Sequence, residues 1–119
     1  MSGLSLKRAY DAPSPEDGKR ILVDRLWPRG VTKAQARIDL WLKSLSPSDA
    51  LRKAVHAGAT DWAGFLAAYA SELQTPQAAE AVAQLHAEIA AGPVTLIYAA
   101  KDEAQNNAAA LFCASSFAA

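Results

Sequence analysis

An α/β domain, with a small parallel or mixed sheet of about three strands and helices packed around it, is predicted by three features of the sequence. The first is a nearly unbroken apolar run, Val94-Thr95-Leu96-Ile97-Tyr98, the pattern of a central strand covered on both faces. The second is a β-type run, Ile21-Leu22-Val23, that stops in a cluster of charge, tryptophan, proline and glycine. The third is the long helical passage between Val23 and Val94, which is enough chain for a right-handed parallel crossover. Together they lean toward a Rossmann-like three-layer arrangement.

In chain order, Leu4 to Tyr10 begins with alternating Leu4 and Leu6 and reads as a short strand. A proline-rich loop follows, from Asp11 to Gly18. After Ile21-Leu22-Val23, Pro28 removes a backbone donor and Gly30 permits positive φ, so Asp24 to Gly30 is a shaped loop. Thr32 caps a helix, and Ile38, Trp41, Leu42 and Leu45 recur at helical spacing after it. Ser46-Pro47 restarts the pattern as cap and first helical residue, with Leu51, Ala54 and Val55 facing inward. Thr60 or Asp61 caps the next helix, whose stripe is Trp62, Phe65, Leu66, Tyr69 and Leu73. Thr75-Pro76 opens another, striped by Ala78, Val82, Leu85 and Ile89, and Gly92-Pro93 ends it. A last helix passes through Leu111 and Phe112. Order is expected over about residues 4–113, with a frayed tail from 114 to 119.

The chain has 119 residues, the size of one domain spanning 1–119. Its 12 Lys+Arg balance 12 Asp+Glu, so bulk charge draws it neither to nucleic acid nor to an anionic membrane. No stretch approaches the roughly 18 apolar residues of a membrane span, and Met1 to Lys7 lacks the apolar core of a signal peptide. A cytoplasmic location is expected. Cys113 is the only cysteine, so no intramolecular disulfide forms and a buried small hydrophobe is its plain reading.

Ligands of open α/β sheets bind beyond the carboxyl ends of the strands. Both polar clusters sit there. Parallel pairing of the strands holding Val23 and Ile97 brings Asp24, Arg25, Trp27 and Arg29 toward Lys101, Asp102, Asn106 and Asn107. Arginine forks and a lysine beside a helix start suit a phosphate or carboxylate, and Trp27 offers a ring for stacking. The expected ligand is small and anionic. The competing reading is a structural network of ion pairs, which strand ends commonly carry.

Other chemistries are less supported. Asp24, Asp102 and Glu103 lack a recognised magnesium motif, and Lys101 reads better in a salt bridge than as a nucleophile. His56 and His86 stand on separate helices with no His-x-x-x-His pair, so neither a metal nor a cofactor is expected. No glycine-rich phosphate loop and no Ser-His-Asp order are legible. Arg8, Arg20 and Lys7 read as solvated charges flanking the first strands. Whether the protein is an enzyme stays open. The alternative to a ligand-binding domain is an interaction module or homodimer accessory to a regulator, using Trp27 or a helical face.

The runs Lys7–Asp11 and Asp17–Gly30 resemble the YeaO-like branch of the domain of unknown function 488 family. So do Trp41-Leu42-Lys43, Ser46-Pro47-Ser48, Leu51-Arg52-Lys53 and Val94–Asp102. The resemblance spans about Leu4 to Leu111, and the Asp24–Gly30 run is its most specific part. It implies a small, largely bacterial α/β domain without a settled activity. The motif positions it carries over are Asp24, Arg25, Trp27, Pro28, Arg29, Gly30, Lys101, Asp102 and Asn106, with no assigned roles. Relatives usually place a His-Asp pair before the tryptophan of the next helix. This chain reads His56-Ala57-Gly58-Ala59-Thr60-Asp61-Trp62 instead. Where relatives often follow the motif asparagine with histidine, it has Asn107.

Overall fold

The computed structural model describes residues 4–101 and 106–114. Four strands, β1 (Leu4–Arg8), β2 (Lys19–Leu22), β3 (Leu40–Trp41) and β4 (Val94–Tyr98), form one sheet in the order β1-β4-β2-β3. All three pairings are parallel. The helices are α1 (Lys33–Ala36), α2 (Asp49–His56), α3 (Trp62–Glu72), α4 (Pro76–Ala91) and α5 (Asn107–Ala114). The α/β class with a small parallel sheet is therefore what the sequence predicts, with one strand more than expected.

β4 is central, and all five of its residues are buried. Its alternation feeds two cores. Val94, Leu96 and Tyr98 join Ile21, Phe65, Tyr69, Leu85 and Leu111 in the larger one, under the helices. Ile97 joins Leu22 and Ala9 in the smaller, with Trp27, Ile38 and Trp41 packed against it. Burying a leucine or isoleucine at such a position contributes about 1.5–3 kcal/mol. The buried hydroxyl of Tyr69 donates to the Leu45 carbonyl. Burial, with the nearby negative charges of Glu72 and Asp24, pushes that hydroxyl well above the ordinary tyrosine range.

Two expectations about the middle of the chain are corrected. Ile38, Trp41, Leu42 and Leu45 do not form one helical stripe. α1 closes at Arg37, which takes a left-handed conformation and returns its N–H to the Lys33 carbonyl. Leu40 and Trp41 then pair in parallel with Ile21 and Leu22. The apolar residues divide: Ile38 and Trp41 reach the smaller core, Leu42 and Leu45 the larger. The next helix also starts later than Ser46. Ser48 is its cap, with its hydroxyl accepting from the Leu51 N–H at 3.1 Å. Asp61 caps α3 and Thr75-Pro76 opens α4 as expected.

Arg20 is not a solvated edge charge. It is 3% exposed. Its Nη1 donates to Asp17 Oδ2 at 2.6 Å and its Nε to the Ala36 carbonyl at 2.9 Å. Asp17 also receives Lys7 Nζ at 3.1 Å and the Ser14 N–H at 2.9 Å. Partial removal from water pushes the Asp17 carboxyl up, but the Ser14, Lys7 and Arg20 hydrogen bonds outweigh it and hold the group below the ordinary aspartate value. The Arg20 backbone also exchanges hydrogen bonds with Asp39, so one residue fastens the whole 33–39 segment to β2. Gly18 precedes it at φ +64°, where a Cβ would lie 2.3 Å from the Pro93 carbonyl oxygen. Only glycine lets the chain enter β2 this close to the start of β4.

Candidate functional site

The site begins where β2 and β4 end side by side. Val23 still donates to the Ile97 carbonyl at 3.2 Å, and one residue later Asp24 leaves the sheet. Its carboxylate accepts the Ala99 N–H at 2.8 Å, and its carbonyl accepts Trp41 Nε1 at 2.7 Å. Asp24 thereby ties together the ends of three strands. Trp27 packs edge-on against Trp41, with ring centroids 5.6 Å apart, and donates its N–H to the Val31 carbonyl at 2.6 Å. Gly30, at φ +79°, closes the turn.

β1 supplies a second set of fastenings. Arg8 donates to the carbonyls of Ala100 at 2.8 Å and Ala99 at 3.3 Å. Tyr10 donates its hydroxyl to the Arg29 carbonyl at 3.0 Å. The loop is thus held by its backbone acceptors. The Arg29 guanidinium takes no part and has no ion pair among the described residues.

These segments form one wall of a cleft of about 650 Å³, whose other wall is α2 and α3. Five of the seven residues singled out in the sequence meet there: Asp24, Arg25, Trp27, Arg29 and Asn106. Lys101 is exposed and does not line the cleft. Asp102 lies outside the described residues, as do the side chains of Asn107 and Cys113. Asn106 is buried, and its Oδ1 accepts the Ala109 N–H at 2.8 Å, capping α5.

The cleft contains cations held to different degrees. Arg25 and Arg52 both donate to Asp49 Oδ1. All three side chains are close to half exposed, so these pairs hold each other only lightly. Arg52 Nε is nevertheless buried and has no acceptor among the described residues. The lining carboxylates are more firmly engaged, Asp24 with the Ala99 N–H and Asp61 with the Gly64 N–H at 2.8 Å. Among the described residues no three His, Cys, Asp or Glu side chains gather closely enough to hold a metal ion.

With this geometry in hand, comparison with known proteins adds the family. The model of the inactive DUF488-N3 subclade matches residues 3–114. The chain belongs to the DUF488 family. It is 43% identical over 109 residues to the uncharacterized protein YeaO of Escherichia coli (strain K12), covering 91% of this chain and 92% of that one. It is 35% identical over 104 residues to the uncharacterized proteins Mb3100c of Mycobacterium bovis and Rv3073c of Mycobacterium tuberculosis, covering 87% of this chain and 86% of each. No solved structure matches.

Sequence reasoning missed the far wall of this DUF488 cleft. Arg52, Val55 and His56 line it from α2, and Trp62 and Phe65 from α3. Val55, expected to face inward, is 40% exposed at the cleft. The signal was present in one form. Arg52, Val55 and His56 recur at i, i+3 and i+4, one face of a short helix carrying an arginine, a valine and a histidine. Tyr10, Leu26 and Val55, the exposed large apolar side chains of the described residues, all line the same cleft. Among the described residues no helix is long and apolar enough to cross a membrane.

Proposed function

We propose that this DUF488 protein is a binding domain for a small anionic ligand, carrying a carboxylate or phosphate, held in the cleft beyond β2 and β4. The observation that carries the reading is the imbalance of engagement around the cleft. Its carboxylates are taken up by backbone N–H groups, whereas Arg29 has no ion pair among the described residues and Arg52 keeps a buried donor without an acceptor. Buried donors are rarely left open in folded proteins, and an anion between the guanidinium groups fills the need. The volume supports it, since small-molecule sites run from about 300 to 1,000 Å³. The family's description as an inactive subclade supports binding over catalysis.

Thermal unfolding of the full chain against a panel of inorganic phosphate, citrate and small organic carboxylates and phosphates tests this. A ligand at 100 times its Kd stabilises by about 2.7 kcal/mol. Arg29→Gln is expected to remove the ligand-dependent rise in Tm and leave the ligand-free Tm unchanged. A wild-type protein that no anion in the panel stabilises at tens of millimolar sinks the reading.

A second reading rests on Tyr10, Leu26 and Val55, whose exposed apolar surface gathers at one mouth. Such clustering also suits a protein contact, including a second copy of this chain. Light scattering decides it, because a monomer at every concentration removes the homodimer.

A further inference from the structure

The rings of α3 form a line from the core to the cleft. Tyr69 is fully buried, Phe65 nearly so, and Trp62 only in part. Phe65 stacks on Tyr69 with centroids 5.8 Å apart and planes 23° from parallel. Trp62 stacks on Phe65 at 5.4 Å and 22°. The spacing Trp62, Phe65, Tyr69 places successive rings one helical turn apart, and the inner ring is anchored by its hydroxyl, which donates to the Leu45 carbonyl.

Resting on the reading of the cleft as an anion site, we propose that its ligand is a planar aromatic or heteroaromatic ring bearing a carboxylate or phosphate, with the ring laid on Trp62 and the anion at Arg29. Phe65 covers one face of the Trp62 indole, and the same indole lines the cleft. A flat ring laid on the Trp62 indole would be the fourth member of that stack. The Trp62 N–H has no acceptor among the described residues, so it remains available to a ligand heteroatom. Trp27, on the opposite wall, has its N–H engaged and its ring braced by Trp41, so it offers apolar surface only. A saturated ring of equal volume finds the same apolar walls and the same cations, but it cannot extend the stack. Planarity is therefore what this cleft is built to select.

Calorimetric titration of the full chain separates the terms. The probes are 2-naphthoate, decalin-2-carboxylate of the same charge and similar size, adenosine monophosphate and inorganic phosphate. The expected result is an aromatic preference of about tenfold, 2-naphthoate or the nucleotide over the decalin. Tighter binding of the nucleotide assigns a phosphate-bearing ring, and the reverse assigns an aryl carboxylate. Trp62→Leu should abolish the preference while phosphate still binds, and Trp62→Phe should keep part of it. Equal binding of the naphthoate and the decalin by wild type overturns the proposal without any variant and leaves the anion site standing. Persistence of the preference in a folded Trp62→Leu protein also overturns it. Failure of all four probes to bind removes both the ring and the anion site.

Discussion

Replacing Asp17 with asparagine tests the buried charge network at the other end of the sheet. The Arg20 side chain is 4% exposed, and among the described residues the only carboxylate its guanidinium pairs with is Asp17, at 2.6 Å. The change keeps the side-chain volume and one acceptor for the Ser14 N–H. It removes the negative charge that Arg20 and Lys7 share. Breaking a buried pair from one side costs about 3–5 kcal/mol, because the remaining ion stays desolvated and uncompensated. The retained acceptor places the expected loss near the lower end, about 3 kcal/mol, or about 10–15 °C in Tm for a domain of this size. Arg20 Nη2 sharpens the effect, since it is already buried without an acceptor among the described residues. Urea unfolding followed by circular dichroism should show a lowered midpoint with an unchanged m value. The double variant Asp17→Asn, Arg20→Met should be more stable than the sum of the single losses, by about 1–3 kcal/mol. Additive losses, or a loss below about 1 kcal/mol for the asparagine, refute the network.

The pH dependence carries a further sign, because the Asp17 carboxyl lies lower in the folded chain than in the unfolded one. Its contribution is full above the unfolded pKa and is lost as pH falls through the folded value, so the gap between wild type and Asp17→Asn should narrow below about pH 4. Tyr69→Phe removes the buried donor to the Leu45 carbonyl, and chemical unfolding at pH 7 should show a loss of about 1–3 kcal/mol. The raised Tyr69 pKa stabilises fully below the unfolded value and is lost as pH climbs past about 10, so the phenylalanine variant should have a flatter alkaline stability profile than wild type. Gly18→Ala meets the Pro93 carbonyl at a backbone conformation that suits only glycine, and its Tm should fall by an amount equivalent to at least about 2 kcal/mol.

The two strands that frame the cleft were legible because their apolar runs are continuous and end abruptly. The long helical passage between them then made a parallel pairing the natural one, and Leu22 does lie opposite Ile97. β3 was not legible. It pairs through two residues, and the apolar spacing from Ile38 to Leu45 matches a helix although its members serve two different cores. Arg20 looked solvated because it sits between Lys19 and Ile21. Its burial depends on Asp17 three residues earlier, on the Ala36 carbonyl at the end of α1 and on Thr95 beside it, two of which are remote in sequence. The Asp24–Gly30 half of the cleft followed from one segment. The α2 half required knowing how α2 docks, which side-chain periodicity alone does not specify.

The two ends of the sheet treat arginine in opposite ways, and the contrast bears on recognition against reaction. At the end where the strands begin, Arg20 is enclosed and neutralised, and its neighbours fix its position. At the end where they finish, the fastenings run through backbone carbonyls of Arg29, Ala99 and Ala100 and through the carboxylate of Asp24. A general acid or base must be free to exchange a proton with the reacting atom. Asp24 is engaged in joining strands, and Asn106 in capping α5. Besides the Trp62 N–H and Arg52 Nε, the Arg29 guanidinium and the His56 imidazole face the cleft without partners among the described residues. Arginine stays protonated across the working range, so it can hold an anion but not shuttle a proton. On the proposed reading, the Arg29 charge beside the α3 ring stack would hold a flat anion in one orientation.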